Sequence, residues 1–179
     1  MVDGERSAVR GERELPPKAE AGAWAAIETV MDPEVPVLSV VELGIVRAVE
    51  IEANGVVQVT VTPTYSGCPA MHVIETELKA ALGAAGFSRV EIRTVYAPAW
   101  TTDWISTAAR EKLRAYGIAP PGPAPDTVLV QLAPAPARVN CPFCGSARTE
   151  LSSEFGATAC KSLHICRACH QPFEHFKAF

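Results

Sequence analysis

No stretch of this 179-residue sequence approaches the ~20 consecutive apolar residues that a membrane-spanning helix needs. The N-terminus has no hydrophobic signal core. Asp3 to Glu20 is dense in charges, so a cytosolic protein is expected. Positive charge is not in excess. A formal net charge of −4 gives no prior for nucleic acid or for an anionic membrane surface as partner. No Glu-x-x-His pair is present to build a di-iron carboxylate site, and no Gly-x-Gly-x-x-Gly loop suggests a flavin or nicotinamide fold. Internal repeats are absent as well. These absences leave no catalytic site that the residues themselves identify. What is present is a 48% share of hydrophobic residues, enough to bury a core, on a chain long enough for one ordinary domain plus a small one.

Six cysteines in a reducing compartment point to metal binding or reactivity rather than to disulfides. Four of them form two pairs, Cys141-Pro-Phe-Cys144 and Cys166-Arg-Ala-Cys169, with 21 residues between the pairs. Thiolates at this spacing can close a tetrahedron around one zinc ion, or hold an iron–sulfur centre. A closed structural zinc is the simpler reading. Gly145 follows the first knuckle and supplies the permissive backbone that such a turn wants. His170 stands there in the second, and His tolerates positive φ better than most residues. From Arg138 to Phe179 five Lys/Arg face three Asp/Glu, a balance of +2 that four thiolates and Zn²⁺ bring back to neutrality. The module therefore carries no electrostatic footprint for phosphate. Phe143, Phe155, Phe173, Phe176 and Phe179 are expected to fill its core or to offer a partner an apolar face. Cys160 is left over. It reads either as a fifth thiol near the metal, with Lys161 favouring its thiolate, or as a packed small hydrophobe. His164, His170 and His175 are unneeded as ligands.

The remaining chain divides into a disordered lead (1–20), a first domain (21–119), a proline-rich linker (120–137) with a short edge strand at Val128–Leu132, and the cysteine module (138–179). Within the first domain Trp24, Ile27 and Val30/Met31 recur at helical spacing, in a helix that ends before Pro33. Leu43 to Ile51 reads as a strand. Asn54-Gly55 signals a type I′ hairpin, and Val57, Val59 and Val61 alternate with polar residues in a second strand. The loop from Pro63 to Cys68 leads into a helix beginning at Pro69, with an apolar stripe of Ile74, Leu78, Ala81 and Leu82, ended by Gly83 or Gly86. Arg89 to Val95 is a third strand. A last helix, capped by Thr101 or Thr102, carries Ile105, Ala109, Leu113 and Tyr116 and stops at Gly117. The expected fold is α+β: an αββαβα domain with a three-stranded sheet, followed by a zinc-ribbon-like Cys₄ module.

Cys68 lies at the loop-to-helix junction. As the N-cap it would face the free N–H groups of the helix, which lowers a thiol pKa. A thiolate there is a nucleophile or a soft-metal ligand, and His72, one turn on, could serve as its base. An inert buried cysteine is the bland alternative. Asp32, Thr102 and Asp103 read as caps or turn residues, and Trp100 as packing against the sheet.

Several ordered motifs carry a resemblance. Asp32-Pro33-Glu34, Val40-Val41-Glu42-Leu43-Gly44-Ile45-Val46, Thr62-Pro63-Thr64-Tyr65-Ser66-Gly67-Cys68-Pro69 and Trp100-Thr101-Thr102-Asp103-Trp104-Ile105-Ser106 make residues 32–113 similar to the iron–sulfur targeting factors, the family of bacterial SufT. In that family the cysteine of the Cys-Pro motif is the reactive residue tied to iron–sulfur transfer. The resemblance implies that role for Cys68. With the tail included, residues 21–179 resemble one branch, the D subunits of bacterial phenylacetyl-CoA epoxidase systems of phenylacetate degradation. That branch carries a cysteine at position 160, which implies a use for Cys160. The resemblance implies an accessory, non-catalytic maturation factor with a structural zinc and a transient iron or iron–sulfur cargo. Its clients would be the ferredoxin-type reductase or the di-iron oxygenase of the system. A static adaptor is the alternative. Cys68 is compatible with acting alone or across a homodimer.

Overall fold

The computed structural model describes residues 17–123 and 139–179. The Val128–Leu132 segment and nearly all of the lead and linker lie outside the described residues. Helix α1 (Pro17–Ile27) opens on a proline, inside the stretch read as lead. It closes before Val30 and Met31, which the spacing placed in it. Thr29 donates its hydroxyl to the Ala26 carbonyl at 2.7 Å, and the Val30 amide reaches Ile27 at 3.0 Å, so the chain tightens into a three-residue turn. Met31 then bridges to Ser39.

Strands β1 (Val46–Ile51) and β2 (Val57–Val61) pair antiparallel, with Val49 opposite Val59. β1 starts later than Leu43 because Gly44 sits at φ +76°, where a Cβ would lie 3.0 Å from Trp104 Cβ. The hairpin is not type I′. Only Gly55 has positive φ (+83°), Asn54 does not, and Gly55 donates to the Glu52 carbonyl at 2.8 Å in a longer turn. Helix α2 (Met71–Ala84) then carries the chain over the sheet to β3 (Val90–Thr94), which runs parallel to β2. The αββαβα order and the three-stranded sheet, β1-β2-β3, are as expected. Val57, Val59 and Val61 of β2 and Ile74, Leu78 and Leu82 of α2 are buried in one core that α1 joins. Such side chains each contribute roughly 1.5–3 kcal/mol on burial.

Thr101 caps only a short 3₁₀ turn (Thr102–Trp104). Helix α3 (Thr107–Tyr116) is capped by Ser106, whose hydroxyl accepts from the Ala109 amide at 3.1 Å. Gly117 ends it in the left-handed region, φ +96°, and turns the chain straight into β4 (Ile118–Ala119). This two-residue strand has no sequence signal of its own. It runs parallel to β7 (Pro172–Phe176) and so becomes the outer strand of the cysteine module's sheet, β4-β7-β6-β5, with β5 at Thr149–Ser153 and β6 at Lys161–Cys166. The two units are further joined by Phe176, fully buried in the first unit's core. Trp100 lies 6.1 Å, centroid to centroid, from both Phe176 and Phe179. Trp100 also donates its indole N–H to the Leu43 carbonyl at 3.1 Å. The phenylalanines thus divide: Phe173 packs in the small ribbon core, Phe176 and Phe179 in the large one, and Phe143 and Phe155 are exposed.

Candidate functional site

The two knuckles fold alike. Gly145 (φ +72°) donates its amide to the Cys141 carbonyl and His170 (φ +60°) to that of Cys166, both at 2.9 Å. These turns aim Cys141, Cys144, Cys166 and Cys169 inward, with all four Sγ atoms within 4.8 Å of one another. Cys141–Cys169 and Cys144–Cys166 approach to 3.7 and 3.6 Å. A tetrahedron with metal–sulfur bonds of about 2.3 Å has an edge of about 3.8 Å. The four thiols therefore fit one tetrahedral ion. A multi-iron cluster would divide the four sulfurs among separate iron atoms and spread them further. The Cys169 amide, followed by that of Ala168, holds the Cys166 thiol down to about 6. Two of the ribbon histidines, His164 and His175, are engaged elsewhere. Ser162 Oγ lies 3.0 Å from His164 Nε2 and 3.4 Å from His175 Nδ1, and His164 stacks on Phe173. Burial holds His175 down to about 4, with His164 and Lys177 adding to the effect.

The second thiol site departs from the sequence reading in two ways. Helix α2 begins at Met71 and its N-cap is Ala70, so Cys68 stands two residues short of the cap. Burial pushes the Cys68 thiol up rather than down. The Ala70 amide and the Thr64 side chain hydrogen-bond to it and oppose that shift, while the Glu34 and Asp32 carboxylates reinforce it. His72 is exposed on α2, and Cys68 takes its hydrogen bonds from Thr64 and Ala70. An activated Cys68–His72 nucleophile is not assembled. Asp32 does act as the turn residue expected. Its buried carboxylate accepts the Glu34 and Val35 amides, both at 2.8 Å. Beside this loop Thr62 Oγ1 is buried with no hydrogen-bond partner among the described residues, in a cleft shared with Thr64, Tyr65, Tyr96 and Trp100.

Cys160 is not near the four knuckle cysteines in the sense expected of a fifth ligand. It is buried in the first unit's core, its sulfur 3.7 Å from Glu34 Oε2 and 3.0 Å from Thr158 Oγ1. Burial pushes its thiol up to about 11, and Lys161 offsets this only in part. Lys161 is instead paired with Glu174 at 2.7 Å and donates to the Glu34 carbonyl at 3.2 Å. Nothing local in the sequence signals that Glu34 and Cys160 meet, since 126 positions separate them.

Fold and site together define a class: a small α+β domain presenting a thiol on a loop, fused to a four-cysteine ribbon packed against its core. Known proteins agree with both halves. Residues 20–94 match a family described as iron–sulfur cluster assembly protein, and residues 125–177 match one described as PaaD zinc beta ribbon domain. The D subunit of the putative 1,2-phenylacetyl-CoA epoxidase of Escherichia coli (strain K12) is 46% identical over 86% of this chain and 90% of its own length. The Bacillus subtilis (strain 168) "Fe-S protein maturation auxiliary factor YitW" is 37% identical over 48% of this chain and 83% of its own length. A crystal structure titled domain of unknown function DUF59, from Bacillus anthracis, is 30% identical over 52% of this chain and 90% of that one, with a TM-score of 0.49. This chain belongs to the family of the phenylacetyl-CoA epoxidase D subunits. Among the described residues no helix is long and apolar enough to cross a membrane.

Proposed function

We propose that this chain is a cytosolic accessory factor of a phenylacetyl-CoA 1,2-epoxidase system, one that helps to assemble an iron–sulfur or iron centre in a client protein of that system. In this reading its role is auxiliary rather than catalytic, like that of the maturation factors it resembles. The observation that carries this reading is Cys68, a half-buried thiol beside two carboxylates, on the loop of a domain similar to iron–sulfur maturation factors. A thiol held protonated binds iron only by giving up its proton, so affinity stays modest at neutral pH and the cargo can be passed on. Cys141, Cys144, Cys166 and Cys169 would hold zinc, which supplies folding energy to a module with little core of its own. The clients are the ferredoxin-type reductase or the di-iron oxygenase. The ribbon's exposed Phe143 and Phe155 offer them an apolar face.

Cells expressing Cys68→Ala at normal abundance test the proposal. Epoxidase activity and client iron content are expected to fall together. If both persist, the alternative holds, a static adaptor. The upward-shifted thiol is the observation in that alternative's favour.

A further inference from the structure

We propose that the cleft between loop 62–66 and Trp100 is a docking site for a neutral, proline-bearing extended segment of a client protein, with the Thr62 hydroxyl as its hydrogen-bond anchor. That the partner is a client rests on the proposed maturation role. The chemistry of the cleft does not.

The cleft, with a volume of about 290 Å³, has three walls. Thr62, Thr64 and Tyr65 come from the loop that follows β2, Tyr96 and Trp100 from the segment that follows β3, and Phe179 from the ribbon. The ribbon's wall is latched in place. Thr101 donates its hydroxyl to the Phe179 carbonyl at 3.0 Å, and the Thr102 amide reaches the same oxygen at 3.3 Å. Trp100, held by its indole bond to Leu43, meets the Phe179 ring edge to face. The first unit by itself would lack this wall, so the docked ribbon completes the cleft.

Thr62 supplies the polar point. Its amide donates to the Ile45 carbonyl at 2.8 Å, which fixes the residue just past the end of β2. Its hydroxyl is buried and has no hydrogen-bond partner among the described residues. Unmatched buried polar atoms are rare, and one in the wall of a cleft gains from any occupant that brings a carbonyl to it. The aromatic rings supply the rest of the surface. No Lys, Arg, Asp or Glu side chain lines the cleft among the described residues, so an acidic, basic or phosphorylated segment would lose its water without meeting a counter-charge. The volume falls at the low end of the roughly 300–1,000 Å³ typical of sites that enclose whole small molecules. That size suits a ring or two on a longer chain. A proline segment matches on each count: its rings pack on aromatic faces, its carbonyls have no internal partner, and its extended form is already ordered.

The position of the cleft suits client recognition. Tyr96 stands 60% exposed on its rim, an apolar ring left for a partner to cover. Thr64 lines the cleft and also hydrogen-bonds the Cys68 thiol. A segment seated there runs beside the loop that ends at Cys68.

The full chain with zinc in its ribbon, titrated with the neutral peptide acetyl-Ala-Pro-Pro-Ala-Pro-Pro-amide and followed by the NMR signals of the Trp100 indole N–H and the Thr62 amide, tests this. Wild type is expected to show saturable shifts of both signals at millimolar peptide, and none with an all-alanine peptide of the same length. Thr62→Val is expected to weaken binding roughly 3- to 10-fold, the loss of one hydrogen bond, and Thr62→Ser to restore it. Tyr96→Ala removes an exposed ring outside the core and is expected to weaken binding at least about threefold. Cys68→Ala should bind as wild type does. Thermal unfolding and zinc content confirm that each variant is folded. Absence of saturable shifts at the cleft, equal binding of the alanine peptide, or wild-type affinity in folded Thr62→Val and Tyr96→Ala overturns the proposal. Tighter binding of acetyl-phenylalanine amide than of the proline peptide also overturns it, in favour of an aromatic ligand. In each of these cases the carrier role of Cys68 stands or falls separately, on client iron in cells.

Discussion

Cys160 Sγ lies 3.7 Å from Glu34 Oε2, a contact that joins the ribbon to the loop motif at the start of the first domain. It ties the two units together alongside the β4–β7 pairing and Phe176, and its consequences reach stability and pH dependence.

The first concerns alkaline pH. The Cys160 thiol has its ordinary value of 9.0 in the unfolded chain and about 11 in the folded one, chiefly because it is buried. A raised folded value stabilises fully below the unfolded value and is lost as pH rises through the folded one. Stability is therefore expected to fall between pH 9 and 11, by on the order of 2 kcal/mol from this group. Denaturant titrations across that range should show the loss in wild type and a smaller loss in Cys160→Ala. Equal slopes would mean that Cys160 is not protected as described.

His175 gives the acidic counterpart. Burial, helped by His164 and Lys177, holds it down to about 4 from 6.5. A depressed folded value contributes stability above pH 6.5 that drains away as pH falls towards 4. Its imidazole is expected to stay neutral at about pH 5 in the folded protein, measured by the NMR titration of its ring protons. A midpoint near 6.5 would contradict the buried Ser162–His175 arrangement.

Removing the ribbon's metal should be felt in the first domain. β7 pairs with β4, and Phe176 and Phe179 pack on Trp100. A chelator, or Cys141→Ser, is expected to release β5 to β7 and to speed hydrogen exchange at the Trp100 indole, which is otherwise buried and bonded to Leu43. Unchanged protection of that N–H would show that the first domain holds its core without the ribbon.

Gly117, the cap between α3 and β4, is under double constraint. It sits at φ +96°, and a Cβ there would meet Phe143 Cζ at 3.0 Å. Gly117→Ala is expected to cost about 1–2 kcal/mol from the backbone alone, with a further steric part. Adding Phe143→Ala should recover the steric part only. Thermal unfolding of the single and double variants separates the two.

The local features of the site were legible because they depend on near neighbours. Two Cys-x-x-C turns with Gly145 and His170 behind them define their own geometry, and His170 does take the positive φ its chemistry tolerates. The reading of Cys68 as an N-cap failed for a different reason. Pro69 suits a first helical turn, but Ala70 is the cap, and that shift of two residues turns a dipole-stabilised thiolate into a buried thiol. The expected I′ turn failed similarly, because Asn54-Gly55 also serves a longer turn in which only the glycine needs positive φ.

Short-range chemistry was enough to set the order of elements, the α+β class and the four-thiol knot. Periodicity, caps and turns act within a few residues, and a tetrahedral metal site is a local demand. Three other features needed the folded chain: β4 closing the ribbon's sheet, Phe176 joining the larger core, and Cys160 facing Glu34 rather than the ribbon's metal centre. Those pairings depend on how two units bury their shared apolar surface. Burial is non-directional and carries no sequence address, so the partner of a lone cysteine emerges only when the cores are joined.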